Sequence, residues 1–545
     1  MGLHGRAVGV DFGTCTSLVA TRAGRRPVEI APLGRTTRWF PSLVGYRGET
    51  LVVGEDADAL PDDQVIRSIK RAITEDRSVV SLPGGSGPRE ITADEVLVAV
   101  LSEIGKRASA ALGRPLTDER NLRLGCPAMW NGQQRERLLT LAAKAGLPID
   151  DSTLVDEPAA AGVAWLTHRF LAYDERPKGR LLVFDMGGGT LDVAVLDVEG
   201  GERPEISVLS ALGTAHAGDA LDDAIAADLT QELLRRGFDA QDSPHPALFR
   251  ALVHRAARET KIALSRLPEQ RVVLPTGQIG QVPVVTYTRE QLEASFRPQL
   301  EDAERLIWAA VRASRLTGRS SQSPADLRTL GPDELRDDID FVLLTGGMSR
   351  IPCIRERVAT LFPGAQVLDY VGVYSDEAIV AGLADTTGYD RLNLHRPGFD
   401  FVVEWEEGGQ PQRQTLYAAH TALYEPWQVM NGESELGFTR NGRDFPGPTQ
   451  GTGRLRIRST AGEPLGLAFD DQVMDGVSLT FGRNMAFKLD CDGRIMIRHG
   501  SGQKVQLQVQ RWPVGSRDDA LLVLESVQGA KPPTPWYAER GPESP

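Results

Sequence analysis

Several features that would place the chain in particular protein classes are scarce or missing. The 545 residues contain only four cysteines, Cys15, Cys126, Cys353 and Cys491, and none forms a C-x-x-C pair. This usage excludes a disulfide framework and a zinc ribbon, so we expect reduced thiols. No apolar run approaches the ~18–20 residues of a membrane-spanning helix, and Met1–Arg6 lacks the apolar stretch of a secretory signal. We therefore expect a cytoplasmic protein without a membrane partner.

A surplus of basic residues is also missing. Lys and Arg total 61 against 74 Asp and Glu, so the formal net charge is −13. This balance does not favour a surface that neutralises nucleic-acid phosphates, and we expect no nucleic-acid partner. With 41% hydrophobic and 25% charged residues, the composition is that of a globular protein. At ~100–200 residues per domain, the length predicts three or four structural units.

Hydrophobic periodicity divides the chain near residue 390. Before that point, short apolar runs alternate with amphipathic helical segments, which predicts an α/β domain. The helical segments are Asp94–Ala111, Gln133–Ala145, Leu221–Arg235 and Leu292–Ser314. After that point, apolar residues recur with period two between Gly, Asn and Asp turns, and no helix is evident. This pattern after residue 390 predicts an antiparallel sandwich or barrel.

Two further segments are polar. Thr317–Asp337 interrupts the α/β part and predicts a loop insertion. Gly529–Pro545 is rich in Pro, Gly and charge, which predicts a disordered tail.

The first of three informative glycine-bearing turns lies within Ala7–Ala20. An apolar strand leads into Asp11, then Gly13 and hydroxyl-bearing residues, then a second apolar strand. Such a hairpin can present backbone N–H groups and hydroxyls to a phosphate while Asp11 faces a metal-bound water. Taken alone, the segment fits an ordinary hairpin equally well.

The second turn, within Leu181–Leu196, repeats this pattern. Its aspartate, Asp185, follows Asp11 by 185 − 11 = 174 residues. Three consecutive glycines, Gly187–Gly189, cost conformational entropy unless the backbone must closely approach a ligand. The repeat predicts a duplicated α/β unit with two facing phosphate hairpins.

The third turn, Gly346-Gly347, lies between an apolar strand from Phe341 and an amphipathic helix that continues through Val358. A strand, a glycine turn and a helix start can bring backbone close to a nucleotide. One such turn is also an ordinary connection, but the three together, in this order, favour a nucleotide site.

With these turns, residues 6–388 resemble the heat shock seventy-kilodalton (DnaK-type) chaperones of the actin-like ATPase superfamily. Other segments look like that family's P-S strand, catalytic-lysine segment, V-P-A-x-F-x-x-x-Q-R run, N-E-P-x-A-A hinge, G-G-x-x-F-D helix start, K-x-x-L-S helix and P-D-E-A run. In chain order they are Thr37–Val44, Val65–Arg71, Gly125–Arg135, Leu154–Ala161, Ala217–Asp222, Thr260–Ser265 and Tyr374–Ala378.

The resemblance implies a fold and a set of site residues. The fold would be a two-lobed actin-like (ribonuclease H-like) α/β ATPase domain followed by an all-β, sandwich-like domain. Asp11 and Asp185 would hold Mg²⁺ through water. The implied catalytic residues are Lys70, Glu157, Asp185 and Thr190. The implied ATP- or ADP-binding residues are Gly13, Thr14, Cys15, Thr16, Gly187, Gly188, Gly189, Thr190, Gly218, Lys261, Ser265, Gly346, Gly347, Ser349, Arg350 and Asp376.

Without the family, two of these residues have plainer interpretations. Lys70 lies beside Arg67 and Arg71 and fits a solvated basic helix face. Glu157-Pro158 fits a simple helix start. Their catalytic roles therefore depend on the resemblance.

Three positions depart from the family pattern. Cys15 stands where a second threonine is usual, which removes a hydroxyl donor near the phosphates and predicts slow hydrolysis. Arg258 stands where an acidic residue usually faces adenosine. Thr153 replaces a basic residue that family members offer to J-domain co-chaperones, which argues against that conventional partner.

The resemblance over residues 6–388, with the period-two pattern and composition that follow, predicts an ATPase domain (1–388), a linker (389–397), a β-rich substrate- or partner-binding domain (398–528) and a tail (529–545). We expect a slow, stress-related, chaperone-like ATPase whose nucleotide state controls polypeptide binding by the β-domain. The alternative is an ATP-dependent switch or scaffold for one dedicated partner, without general folding activity. A small-molecule kinase or filament-forming relative fits the motifs least well.

Overall fold

The computed structural model describes residues 5–61, 64–82, 89–317, 326–327, 329–386, 388–431, 433, 436–470, 472–513, 520–527 and 532–536. Among these residues, no helix combines the length and the apolar character that crossing a bilayer requires.

The first lobe is built on a mixed sheet. Its strands are β1 (Arg6–Asp11), β2 (Thr16–Ala23), β3 (Glu29–Ile30), β4 (Phe40–Pro41), β5 (Val44–Arg47), β6 (Thr50–Val53), β7 (Val65–Ile66), β8 (Val79–Leu82), β9 (Arg89–Thr92), β10 (Leu122–Cys126) and β11 (Leu154–Asp156). Its helices are α1 (Glu55–Asp58), α2 (Arg71–Thr74), α3 (Ala93–Leu112), α4 (Gly132–Lys144) and α5 (Glu157–Tyr173). The sheet order is β11-β10-β1-β2-β3, and β4 also pairs with β2.

The second lobe repeats this design. Its strands are β12 (Lys178–Met186), β13 (Leu191–Glu199), β14 (Glu205–Thr214), β15 (Glu269–Val272), β16 (Val285–Thr288), β17 (Phe341–Thr345), β18 (Gln366–Leu368) and β19 (Asp390–Asn393). Its helices are α6 (Gly218–Arg235), α7 (Pro246–Leu264), α8 (Thr276–Ile279), α9 (Arg289–Ser314), α10 (Pro332–Leu335), α11 (Pro352–Leu361) and α12 (Ala378–Leu383). The sheet order is β18-β17-β12-β13-β14-β19.

The two sheets share one pairing scheme, which confirms the predicted duplication. In each lobe the strand that carries the aspartate, β1 or β12, pairs antiparallel with the next strand and parallel with a later one. The four predicted helices are confirmed as α3, α4, α6 and α9. The predicted Thr317–Asp337 insertion lies partly outside the described residues, and the part that is described includes α10.

The C-terminal part contains two sheets, as the period-two pattern predicts. Its elements are β20 (Phe399–Glu407), β21 (Gln410–Tyr417), α13 (Pro426–Asn431), β22 (Phe438–Asn441), β23 (Gly451–Ser459), β24 (Gly466–Phe469), β25 (Gln472–Met474), β26 (Gly476–Phe481), β27 (Ala486–Leu489), β28 (Arg494–Arg498), β29 (Lys504–Arg511), β30 (Leu521–Ser526) and β31 (Pro535–Trp536). The sheet orders are β21-β20-β23-β26-β31 and β22-β27-β28-β29-β30-β24-β25.

Two predictions for this part need correction. The short helix α13 was not expected, because its six residues are too few to display a helical period. Much of the predicted tail Gly529–Pro545 lies outside the described residues, but Pro535–Trp536 pairs with β26 as an edge strand. Trp536 also stacks against Arg454, with the guanidinium carbon 5.7 Å from the ring centroid, so this segment is held by contacts that its composition does not reveal.

The predicted linker 389–397 is largely packed onto the second lobe. Residues 390–393 form β19, which pairs parallel with β14 at the edge of the second sheet. Arg203 donates to Asp390, with 2.6 Å between Nη2 and Oδ1, and Arg391 donates to the carbonyls of Ser152 and Leu154 at 2.6 and 2.7 Å. Residues 390–393 are therefore held by strand pairing with β14 and by hydrogen bonds to both lobes, although their sequence predicts only a linker.

The β-domain contacts both lobes. Helix α13 packs against α9 of the second lobe, and buried residues of that lobe and of the β-domain belong to one continuous hydrophobic cluster. Thr460 hydrogen bonds to Asp151 of the first lobe. The junction is thus a packed interface between three units.

The junction also holds two buried histidines, and these predict a pH dependence. Burial lowers the pKa of His395 well below its usual value, and burial, reinforced by the charge of Arg135, lowers the pKa of His420 to about 3. A histidine with a depressed folded-state pKa contributes stability that is present above its unfolded pKa of ~6.5 and is lost as pH falls.

We expect His420→Gln to be less sensitive to acid than the wild-type chain. At pH 5.5 each such histidine costs about 1.4 kcal/mol of folding free energy, one pH unit below the unfolded pKa. Thermal unfolding of both proteins at pH 7.5 and 5.5 tests this, because other titrating groups affect both equally. Equal losses in the two proteins would contradict it.

Candidate functional site

The two predicted phosphate hairpins meet tip to tip. A Cβ at Gly188 would lie 2.1 Å from the sulfur of Cys15, and a Cβ at Gly189 would lie 2.6 Å from Cγ2 of Thr14. Within the first hairpin, a Cβ at Gly13 would lie 2.1 Å from the carbonyl oxygen of Thr16. Glycine is therefore required because each backbone closely approaches a neighbour.

A buried ion pair lies beside these hairpins. The Nζ of Lys70 lies 2.7 Å from Oε1 of Glu157, and both residues are only 6% exposed. Lys70 follows β7 and caps α2, and its Nζ is 5.6 Å from the centroid of Trp130. Although burial alone would lower the pKa of Lys70, the charges of Glu157 and Asp11 raise it, so the ammonium remains charged. The solvated basic face considered for Lys70 is therefore wrong.

Three carboxylates lie near this pair, of which Asp192 is buried and Asp11 and Asp185 are partly exposed. Asp11 lies at the end of β1, and Asp185 and Asp192 lie opposite each other on β12 and β13. Desolvation, together with the charge of Glu157, raises the pKa of each of the three to about 7. Repulsion between these carboxylates is thus not fully offset by Lys70, and a bound cation would relieve it.

The start of α6 joins the second hairpin. The amide of Gly218 donates to the carbonyl of Gly187 at 3.1 Å, and the amide of Asp219 donates to that of Gly188 at 2.6 Å. Lys261 on α7 donates to the carbonyl of Gly218 at 2.9 Å and lies 2.8 Å from Asp222. Lys261, one of the residues that the resemblance implies for nucleotide binding, thus contacts the backbone and side chain of α6 next to the second hairpin.

The third turn places the remaining predicted residues near the end of β17. Gly346 has φ +79°, and a Cβ there would lie 2.4 Å from the carbonyl oxygen of Met186. The Ser349 hydroxyl donates to the Gly346 carbonyl at 2.6 Å, while Gly347 begins the following turn. Arg350 pairs with Asp376 at 2.5 Å, which brings together two of the residues that the resemblance implies for nucleotide binding.

Two of the predicted residues are engaged locally. The Ser265 hydroxyl donates to the carbonyl of Ile262 at 2.7 Å, near the end of α7. The carbonyl of Thr190 accepts from the amide of Gly187 at 3.0 Å and closes the second hairpin. Arg258 lies close enough to Cys15 and Asp222 for its charge to lower the pKa of each, opposing the effect of burial.

Sequence reasoning missed two residues near these elements. Asp192 pairs with Asp185 across β12 and β13, and its signal was its place in a strand between apolar neighbours. Asp219 contacts the first lobe from α6, and its segment Ala217–Asp222 gives no sign of that contact in the sequence.

The residues fit Mg²⁺ held partly by water. Among the described residues, no group of three or more His, Cys, Asp or Glu side chains is arranged to hold a metal ion by itself. Mg²⁺ commonly keeps several waters and takes one or two carboxylates together with nucleotide phosphates. Asp11 and Asp185 offer the carboxylate oxygens that this partly hydrated binding of Mg²⁺ requires.

The fold and this site define a class: a two-lobed α/β protein with duplicated sheets and apposed phosphate hairpins, the architecture of the actin-like ATPases. A sequence model of the family described as "Hsp70 protein" matches residues 7–389, well over half of the chain. The chain therefore belongs to the Hsp70 family.

Curated relatives are consistent with this assignment. The chain is 30% identical over 384 residues to the chaperone protein DnaK of Thermosipho melanesiensis, which covers 69% of this chain and 58% of the relative. It is 31% identical over 411 residues to the chaperone protein DnaK of Deinococcus deserti, which covers 70% of this chain and 59% of the relative. The similarity therefore spans little more than half the length of these relatives.

Proposed function

We propose that the chain binds Mg-ATP between its two lobes, hydrolyses it slowly, and uses the nucleotide state to control polypeptide binding by the β-domain. The observation that carries this proposal is the buried Lys70–Glu157 pair, set among Asp11 and Asp185 beside two glycine-rich hairpins. The similarity to DnaK relatives, which are chaperone proteins, supports it.

The chain's residues would divide the chemistry of hydrolysis among them. Backbone N–H groups of Gly13–Thr16 and Gly188–Thr190 would hold phosphate oxygens, whereas the amides of Gly187 and Gly218 donate to the carbonyls of Thr190 and Gly187 and shape the second hairpin. Lys70 would stabilise charge on the transferred phosphoryl group, and Glu157 with Asp185 would orient the attacking water and take up its proton. Bound Mg²⁺, held through water by Asp11 and Asp185, would neutralise charge on the phosphates. The residues that would line the adenosine side are Lys261, Ser265, Gly346, Gly347, Ser349, Arg350 and Asp376.

Cys15 is expected to lower the rate of ATP hydrolysis. A thiol in place of a hydroxyl is a weaker donor, so one phosphate contact is weakened. Burial, with the charge of Asp219, raises the pKa of Cys15 to about 11, which keeps this thiol protonated. Slow turnover is the expected consequence.

The junction supplies a route between nucleotide and β-domain. Asn393 of β19 donates to Asp156 at 3.0 Å, Arg135 pairs with the same carboxylate, and Asp156 directly precedes Glu157. A displacement of β19 would therefore move Asp156 and, through it, the adjoining Glu157 of the Lys70–Glu157 pair. On this basis we retain the division into an ATPase domain (1–388), a connecting segment (389–397) and a β-rich binding domain (398–528).

The scaffold alternative has one specific observation in its favour. The hydrophobic core continues from the second lobe into the β-domain, and a β-domain fused in this way suits a fixed role toward one partner. Under this alternative, ATP binds and hydrolysis persists, but unfolded polypeptides are not bound.

The test measures phosphate release with Mg-ATP, and binding of a labelled unfolded polypeptide in the presence of ADP or ATP. We expect slow phosphate release and tighter polypeptide binding with one nucleotide than with the other. Absence of ATP binding would overturn the proposal. Hydrolysis without any polypeptide binding would favour the scaffold alternative.

A further inference from the structure

A contact across the cleft connects the second lobe to the segment that carries Lys70. The Ser68 hydroxyl donates to Oδ2 of Asp219 at 2.5 Å, although the two residues are 151 positions apart. Ser68 lies two residues before Lys70 in the first lobe, and Asp219 is the second residue of α6 in the second lobe. The other carboxylate oxygen of Asp219 lies 3.9 Å from the sulfur of Cys15.

The backbone conformation of Ser68 requires contacts from neighbouring residues to stabilise it. Its φ is +59°, a left-handed conformation that residues other than glycine seldom adopt. On one side β7 anchors the segment by pairing with β5, and on the other α2 begins after Lys70. Such strained conformations persist where surrounding contacts fix them, and they concentrate at functional sites.

Asp219 is itself fixed to the phosphate-facing hairpin. Its amide donates to the carbonyl of Gly188, and a Cβ at Gly188 would lie 2.1 Å from the sulfur of Cys15. The carboxylate is therefore placed by the second hairpin while it holds the first lobe. The position of Lys70 thereby becomes dependent on the relative position of the two lobes.

We propose that Asp219 is a positioning residue for hydrolysis: through Ser68 it fixes the segment bearing Lys70 only when the two lobes are closed on each other. This inference rests on the proposed ATPase function and adds a residue to it. Asp219 would act through Lys70 and Ser68, without itself transferring a proton.

The kinetic test uses Asp219→Ala, Asp219→Asn and Ser68→Ala. We expect Asp219→Ala and Ser68→Ala each to lower the maximal rate about tenfold, as the loss of one hydrogen bond to a charged group predicts. The ATP concentration at half-maximal rate should change less than about threefold. Asp219→Asn keeps an acceptor oxygen and should retain most of the rate. The double variant should be no slower than either single alanine variant, because both remove the same contact.

A carboxylate one turn later on α6 provides the control. Asp223 is exposed and lies 3.4 Å from His254 of α7, within the second lobe. We expect Asp223→Ala to keep a maximal rate close to that of the wild type. An equal loss in Asp223→Ala and Asp219→Ala, or an unchanged rate in Asp219→Ala, would overturn the proposal.

Hydrogen exchange separates this inference from the proposed function. The amides of Arg71, Ala72 and Ile73 donate to the carbonyls of Ser68, Ile69 and Lys70. In Asp219→Ala without nucleotide, a peptide covering residues 64–76 should exchange faster, while in Asp223→Ala it should match the wild type. Unchanged exchange in Asp219→Ala would refute the positioning role. If the wild type hydrolysed no ATP, the proposed function would fail, and exchange would still decide the role of Asp219.

Discussion

Replacing Lys70 with alanine is expected to reduce phosphate release at least about a hundredfold while ATP remains bound. Removing one preorganised charge from a buried transition-state site typically costs ~10²–10³ in rate. In the proposed site the glycine turns hold most of the nucleotide, so affinity should change little. The measurement is single-turnover phosphate release beside titration with a fluorescent ATP analogue. Unchanged hydrolysis would remove Lys70 from the mechanism.

The neighbouring Arg71 provides a matched control. Arg71 pairs with Glu75 one turn later on the partly exposed side of α2, with 3.0 Å between Nε and Oε1. Arg71→Ala should therefore leave phosphate release unchanged. A similar loss of phosphate release in both variants would mean that any change in α2 disturbs folding, and the loss in Lys70→Ala would then not indicate a catalytic role.

The same Lys70→Ala variant should be less stable without nucleotide. It leaves Glu157, 6% exposed, without its cation among Asp11, Asp185 and Asp192. Removing one partner of a buried pair typically costs about 3–5 kcal/mol. Addition of Mg-ADP should recover part of the loss, because a bound cation replaces some of the missing positive charge.

Gly382→Ala is expected to be the most damaging small substitution outside the site. A Cβ at Gly382 of α12 would lie 1.8 Å from the carbonyl oxygen of Ala160 in α5. All six residues of α12 are buried, so the two helices can relieve this overlap only by separating. Overpacking costs ~1–3 kcal/mol, and more where the opposing atom is backbone. We therefore expect a fall of about 5–10 °C in melting temperature.

Because α5 begins at Glu157, the same change should also slow hydrolysis. Gly364→Ala is the matched control, since a Cβ there meets no atom within 4 Å and its φ is not positive. Differential scanning fluorimetry and phosphate release on both variants test the prediction. Equal melting temperatures would contradict the close packing of α5 and α12.

The sequence anticipated the parts of the fold that local patterns determine. The repeated strand–Asp–Gly turns of Asp11 and Asp185 fall on equivalent strands of matching sheets, as duplication predicts. The apolar period of a long helix predicts it, whereas the six residues of α13 are too few to show such a period. The pairing of β19 is not predictable from sequence, because its four residues show no period and its partner strand β14 lies elsewhere in the chain.

The site follows the same division. Glycine turns and the buried pair could be named from motifs, but the contact of Lys261 with Gly218 depends on how α6 and α7 pack. The role of Asp219 could not be predicted, because Ser68 is distant in sequence and the motifs that contain the two residues do not indicate that they touch. Such contacts arise from tertiary packing alone.

The central claim is that nucleotide in the cleft controls the β-domain through the junction. Limited proteolysis across residues 385–397, with no nucleotide, with ADP and with ATP, tests this most directly when wild type and Lys70→Ala are compared. We expect wild-type cleavage to differ between ADP and ATP as β19 changes its pairing with β14, and Lys70→Ala to remain in the ATP pattern. An identical pattern in all states, despite bound ATP, would show that the β-domain is not coupled and would contradict the account.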